Sequence, residues 1–313
     1  MINLTPVDSA RIVTVIDNYV DLLLDGDERT QRPPLAAGPE IPRDTLLAEH
    51  GLCLLIELEA DGRQASLLLD AGYSQVGVPH NLDLLGLDLG GVEAVVLSHG
   101  HMDHFGALPE VIRRAGKPVP LVMHPGALEG PRYLDIPGVG KLRFPPVEDD
   151  ELRRAGAELV LSREPYVGPS GMWAATGAIE RRTDFETGMP MAVMEKDGQL
   201  THDPIADDQS VVLVVKDKGL VVISGCAHSG IINSVNFARE LTGVQQVYAV
   251  IGGFHLTGRI FEPIIGRTVE EMQKLEPRVV SPMHCTGYKA INRLRESLGD
   301  RFVLNSVGTI INL

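Results

Sequence analysis

Three histidines and an aspartate, His99, His101, His104 and Asp103, fall within six consecutive residues. Neutral imidazole and carboxylate are the side chains that hold a borderline divalent cation such as zinc. His99 and His101 are two apart, so an extended turn can aim both rings the same way. Asp103 and His104 are adjacent and diverge, which suits them to a second centre close by. A polar loop with chance histidines is the bland alternative. Three of the chain's 10 histidines in six positions make that alternative poor, because the residue is rare elsewhere.

The elements that must position this cluster flank it. Ala94-Val95-Val96-Leu97 is a short apolar run and predicts a buried strand. Ala107 to Ala115 predicts a helix with Leu108, Val111 and Ile112 on one face, and Pro109 is tolerated in its first turn. The cluster therefore belongs at the C-terminal end of a strand, where open α/β sheets place ligands. The same arrangement recurs. Leu220 to Ser224 runs into Gly225-Cys226-Ala227-His228-Ser229-Gly230. Val247 to Ile251 runs into Gly252-Gly253-Phe254-His255, and Arg278 to Pro282 into Met283-His284-Cys285-Thr286-Gly287. A lone histidine at a strand end is more often structural than a ligand. Four such ends in one chain predict convergence, since parallel strands of one sheet bring their C-terminal ends together.

The rest of the chain reads as further strands at Arg11–Ile16, Leu52–Leu58, Gln64–Leu69, Pro120–Met123 and Ser210–Val215. Asp61-Gly62 marks a hairpin between the second and third of these, and Leu82 to Leu87 a helical turn. Helices are expected over Ile231–Leu241, Arg267–Leu275 with Thr268 as N-cap, and Tyr288–Leu298. Terminal strands are expected within Phe302–Ile311. Gln31 to Pro42 is a Pro-rich loop. From residue 126 to about 205 Pro and Gly are frequent and no period persists. That region predicts an insertion or lid, with Glu158–Leu161 a strand of a second sheet and Trp173 and Phe185 as lid residues. The whole of 1–313 is expected to form one domain around it.

Composition bounds the function. A formal net charge of −14 disfavours phosphate backbones, so no nucleic-acid partner is expected. Three cysteines, an odd number without framework spacing, point away from a disulfide scaffold and towards a reducing compartment. Charged residues interrupt the first 24 positions and no apolar run is long enough to span a bilayer, so a cytoplasmic protein without a membrane partner is expected. A small-molecule substrate is expected, anionic on the strength of the helix start at Thr286-Gly287, and homo-oligomerisation is left open.

His99-Gly100-His101-Met102-Asp103-His104 has the H-x-H-x-D-H form of the metallo-β-lactamase superfamily, which the chain resembles over essentially its whole length. Leu67-Leu68-Leu69-Asp70-Ala71-Gly72 resembles that superfamily's strand-Asp-x-Gly signature. The resemblance implies a four-layer αββα sandwich, an α/β fold of two mixed sheets flanked by helices. It implies one metal site of His99, His101 and His228, a second of Asp103, His104 and His284, and Asp70 as the residue orienting a ligand histidine. Two divalent ions, zinc first and Mn2+ or Fe2+ as alternatives, are implied as cofactors. His50-Gly51, Gly177 to Arg181, Gly225 to Asn233, Gly252 to Leu256 and His284 to Gly287 look like one branch, the group similar to the archaeal 7,8-dihydropterin-6-methyl-4-(β-D-ribofuranosyl)-aminobenzene-5'-phosphate synthase. One departure stands out. Many dinuclear members carry a bridging Asp between the third and last ligand histidines, and no Asp lies between His228 and His284. His255 is the natural occupant, as an extra ligand to the second site or as a donor to substrate.

The chemistry implied is hydrolysis by a metal-bound hydroxide, since two cations lower the pKa of a shared water from about 15.7 towards about 7. Asp103 would hold metal and proton, and His255 would stabilise the developing oxyanion. His50 belongs to the expected substrate contacts. So do Thr286 and Gly287, which open the last helix and suit an anion, and Arg181 with its neighbour Arg182. Lys289 and Arg293 read better as a solvated helix face. Cys226 and Cys285 flank ligand histidines; packing beside the site is the better reading, extra soft ligation the other. His124 either contacts substrate or caps a turn. The expected function is therefore a metallohydrolase of a small ester or phosphoester, phosphodiesters included. A pterin-related synthase using the same metals and a non-catalytic metal-binding protein are the alternatives.

Overall fold

The computed structural model describes residues 1–36 and 38–313. Long apolar runs pair into two mixed sheets. The first has eight strands in the order Thr30–Gln31, Ile310–Asn312, Ser9–Ile16, Cys53–Ala60, Arg63–Leu69, Ala94–Val96, Val119–Met123, Ala157–Leu161. The second has six, in the order Tyr166–Val167, Trp173–Ala175, Ser210–Val215, Gly219–Ser224, Val247–Gly253, Val279–Met283.

Alternation along each strand divides the apolar residues between two cores. Leu54, Ile56, Leu67, Leu69 and Val96 of the first sheet meet Leu213, Val221, Ile223 and Ile251 of the second in one central layer. Their neighbours Leu55, Leu68 and Val95 point outward onto helices Gly77–Leu85 and Leu108–Arg114 through Val78, Leu82, Val111 and Ile112. Likewise Leu220, Val222 and Val250 pack outward on helices Ile231–Thr242, Ile265–Leu275 and Tyr288–Leu298. The result is the expected αββα order.

Several boundaries differ from the sequence reading. Thr268 does not cap its helix: the helix starts at Ile265, and the buried Thr268 hydroxyl donates to the Ile264 carbonyl. Of the expected terminal strands only Ile310–Asn312 forms, with Phe302 in an isolated bridge to Val280. Ala157–Leu161 joins the first sheet, parallel to Val119–Met123, rather than the second. Residues 126–205 do contain a separate element, a four-stranded antiparallel sheet of Gln199–His202, Ala192–Lys196, Arg132–Ile136 and Gly140–Arg143. Trp173 is no lid residue. It is fully buried in the central core, and its indole N–H donates to Glu93.

No helix among the described residues is long and apolar enough to cross a membrane.

Candidate metal centre

The histidine-bearing strand ends meet at the seam between the sheets. The loop holding His99 to His104 follows Ala94–Val96 of the first sheet, while His228, His255 and His284 follow three neighbouring strands of the second. The convergence thus draws on two sheets, not on the single sheet that parallel-strand logic suggested. Backbones come very close there. A Cβ on Gly225 would lie 2.1 Å from Ser98 Oγ and 2.9 Å from Asp70 Oδ2, so only glycine lets the second sheet approach the first at this point. Asp70, Ala227, His255 and His284 all adopt positive φ, between 44° and 61°. Such conformations cost a non-glycine residue roughly 1–3 kcal/mol each and persist where surrounding structure enforces them.

His99, His101 and His228 form a triangle of buried rings, with centroids 4.5, 4.7 and 4.8 Å apart. Burial pushes His99 and His228 well below the ordinary imidazole range and His101 down to about 4. All three are therefore neutral, and the Nε2 atom of each lacks a hydrogen-bond partner. Asp70 sets the orientation of two rings. Its Oδ1 accepts the Ser98 amide at 2.7 Å, and its Oδ2 accepts the Ser98 hydroxyl at 2.8 Å and His104 Nδ1 at 2.6 Å. Ser98 Oγ in turn lies 3.0 Å from His99 Nδ1. With both Nδ1 atoms serving as donors, the Nε2 atoms of His99 and His104 are the ones left for a metal.

A second group lies beside the first. Asp103 Oδ2 is 3.3 Å from His284 Nε2 and 3.8 Å from His104 Nε2. His104 Nε2 is 3.1 Å from Cys226 Sγ. Burial alone would lower the His104 pKa, but Asp70 and Asp103 push it up to about 9. Burial would likewise raise Asp103, but His104 and His284 hold it well below the usual carboxylate range. The pocket is built to hold positive charge.

Residues with no histidine signature fix both groups. Asn18 Oδ1 accepts His284 Nδ1–H at 3.0 Å, and the orientation of the Asn18 amide is set by the Gly51 N–H on Oδ1 and the His284 carbonyl on Nδ2. Asp17 Oδ1 accepts the His284 amide at 2.8 Å. Asp207 Oδ2 accepts the Gly100 amide at 2.8 Å, and Arg132 grips Asp207 with both terminal nitrogens at 2.7 and 3.0 Å. Asp208, raised by burial to about 6, accepts the Ser229 amide at 2.8 Å beside His228. Phe144 stacks on His101 with ring centroids 4.7 Å apart. A signal for Asp17-Asn18 and Asp207-Asp208 existed, since both pairs adjoin strand ends.

The other expected residues are placed as follows. His255 sits against His228, ring centroids 4.2 Å apart, and its ligand atom groups with Cys226 and His228 rather than with Asp103, His104 and His284. It is not placed as an extra ligand to the second group. His50 stands at the mouth, its side chain 60% exposed and Nε2 3.5 Å from Asp103 Oδ2. Arg181 braces backbone, donating through Nη2 to the carbonyls of Pro204 and His228 at 2.6 and 3.2 Å. Arg182 pairs with Glu180 and Glu240 on the surface. Thr286 is buried, its hydroxyl donating to the Met283 carbonyl and accepting the Phe254 amide. Gly287 begins the last helix, and a Cβ there would lie 2.6 Å from the Thr257 side chain. Lys289 pairs with Glu262 at the surface. His124 caps a turn through Nδ1, which accepts the Gly126 amide. Phe185 is held under the Arg267 guanidinium and, with Phe254, Phe261 and Ile264, walls a cleft that opens beside His228 and His255.

Buried Nε2 atoms without a hydrogen-bond partner on His99, His101, His228 and His284 fit metal ligation. The ligand atoms of His99, His101 and His228 lie within 4.8 Å of one another, as do those of Asp103, His104, Cys226 and His284.

This fold and this set of side chains are those of the metallo-β-lactamase superfamily, to which the chain belongs; the superfamily's sequence profile matches residues 47–171. Over 319 aligned residues, 99% of either protein, the chain is 28% identical to the 7,8-dihydropterin-6-methyl-4-(β-D-ribofuranosyl)-aminobenzene-5'-phosphate synthase of Methanocaldococcus jannaschii. It is 31% identical to an uncharacterised protein of the same archaeon over 273 residues, 85% of this chain and 94% of that protein. A solved structure described as a metal-dependent hydrolase of the β-lactamase superfamily has the same fold, with a TM-score of 0.72 at 23% identity over 97% of this chain and 98% of that one. The metallo-β-lactamase fold protein YhfI from Bacillus subtilis gives a TM-score of 0.52 at 12% identity over 98% of this chain and 100% of its own.

Proposed function

We propose that the chain is a hydrolase working through two divalent cations, zinc ahead of Mn2+ or Fe2+, and that it opens a small anionic ester or phosphoester. His99, His101 and His228 would hold one ion, and Asp103, His104 and His284 the other. The observation that carries this reading is the meeting of two clusters of buried ligand atoms, with Nε2 of His99, His101, His228 and His284 lacking any hydrogen-bond partner. Two such ions would supply an acidified water and Lewis-acid polarisation of the bond under attack.

The chain's own residues supply the rest. Asp103 stays ionised and orients the reacting water, and His50, 3.5 Å from it and open to solvent, can carry the released proton out. His255, at the rim of the aromatic cleft, faces the substrate and stabilises charge developing on it. Phe185, Phe254 and Phe261 exclude water and seat the part of the substrate that does not react. In this reading one domain acts on a small molecule in a reducing compartment.

A second reading is a pterin-related synthase using the same ions. The full-length, 28% identity to the archaeal synthase favours it. Product analysis separates the two. Protein stripped by chelator and reloaded with zinc is offered an ester, a lactone, a phosphodiester, a phosphotriester and, as a pair, a phosphorylated aromatic amine with a pterin whose methyl carbon bears a leaving group. Hydrolysis of one of the first four by reloaded protein alone supports the hydrolase. A condensation product from the amine supports the synthase, and metal-replete protein that turns over none of them contradicts both.

A further inference from the structure

We infer that Cys226 is the fourth protein ligand of the second cation, its thiolate completing the set with Asp103, His104 and His284. This rests on the metal reading above and goes further, because it closes that site with sulfur where a bridging carboxylate is missing from the sequence.

The geometry supports it on three edges of the ligand set. A tetrahedral zinc ion with Zn–S near 2.3 Å and Zn–N near 2.0–2.1 Å holds its ligand atoms roughly 3.3–3.6 Å apart. Cys226 Sγ lies 3.1 Å from His104 Nε2, His284 Nε2 lies 3.3 Å from Asp103 Oδ2, and His104 Nε2 lies 3.8 Å from the same oxygen. All four ligand atoms fall within 4.8 Å of one another. The His284 nitrogen is buried, has no hydrogen-bond partner and points into this space. With His104 Nδ1 and His284 Nδ1 occupied by Asp70 and Asn18, it is the Nε2 atoms of both rings that converge on the space with the thiol and the Asp103 carboxylate.

The neighbouring cysteine is arranged differently. Cys285 Sγ donates to the Cys226 carbonyl at 3.6 Å, so its proton is spent on backbone. A Cβ on Gly253 would lie 2.7 Å from that sulfur, which keeps the packing around it tight. Cys53 lies in a strand of the first sheet, in the core beneath the helices.

On binding, the Cys226 S–H bond breaks, a sulfur–metal bond forms and the proton leaves to solvent. Thiolate favours zinc over Mn2+, which prefers oxygen ligands. A site closed by four protein atoms also has the character of a permanently held ion. The open coordination position then falls to the His99, His101 and His228 side, next to the aromatic cleft.

Cobalt(II) tests this. Cation-free protein is loaded with cobalt and its absorption recorded. Wild type and Cys285→Ser are expected to show a near-ultraviolet sulfur-to-cobalt charge-transfer band, and Cys226→Ser to lose it. Visible cobalt bands without charge transfer in wild type, or a band that survives in Cys226→Ser, overturns the assignment while leaving the metal centre standing. Failure of cobalt to bind at all overturns the metal reading itself. Zinc-edge X-ray absorption on wild-type protein needs no variant. A sulfur near 2.3 Å from zinc is expected, and a shell of nitrogen and oxygen alone contradicts the inference.

Discussion

His284 Nε2 and Asp103 Oδ2 face each other across 3.3 Å, and Asn18 decides what that means. By accepting the Nδ1 proton, Asn18 turns the His284 lone pair inward. Partners of this kind typically change metal affinity 10- to 100-fold. Asn18→Ala is therefore expected to weaken zinc at the second site by about that factor while His99, His101 and His228 keep theirs. Titration against a chromophoric chelator measures it, and two unchanged affinities would contradict the role.

Glu186 supplies a pH dependence. Burial pushes its carboxyl up to about 7 from an ordinary 4.5, although the Ile232 and Asn233 amides favour its charge. The folded state thus binds this proton more tightly than the unfolded chain does. Its contribution to stability is whole below about 4.5 and is lost as pH rises through about 7. Across that window wild type is expected to lose stability relative to Glu186→Gln. Urea unfolding at a series of pH values checks this, and parallel curves would refute it.

At the scale of elements, the loop that carries His99 to His104 is tied down from outside itself. Arg132, from the four-stranded sheet, holds Asp207 and Asp203, and Asp207 holds the Gly100 amide. Arg132 is 6% exposed, so its removal strands two buried carboxylates. Loss of one partner of a buried ion pair costs about 3–5 kcal/mol. Arg132→Met is expected to destabilise by about that amount, read by urea unfolding, and a change within about 0.5 kcal/mol, the range of an ordinary surface substitution, would show that the loop holds itself. Much of the arrangement was legible beforehand. Val- and Leu-rich runs announced the central strands, and glycine plus histidine at their ends announced the site. Pairing was not legible, because periodicity says which face a residue takes and nothing about which sheet its strand joins. Glu158–Leu161 therefore reads as a strand of the second sheet yet pairs within the first. The strands of residues 126–205 hid for another reason. Gly140–Arg143 and Gln199–His202 are exposed throughout, so no apolar alternation marks them. Asp17-Asn18 and Asp207-Asp208 escaped because an acid or amide at a strand end is too common to single out without a partner in view.

At the scale of the molecule, the site lies where two sheets meet, and each contributes ligands the other lacks. The first sheet's loop brings His99, His101, Asp103 and His104, and the second sheet brings His228 and His284. On the proposed reading each ion takes side chains from both sheets, so metal content reports directly on the seam. Elemental analysis of purified wild type, His228→Ala and His284→Ala, each confirmed as folded, is the most direct test. The account predicts two equivalents of divalent metal per chain in wild type and close to one in each variant. Variants that retain the full wild-type content would contradict it.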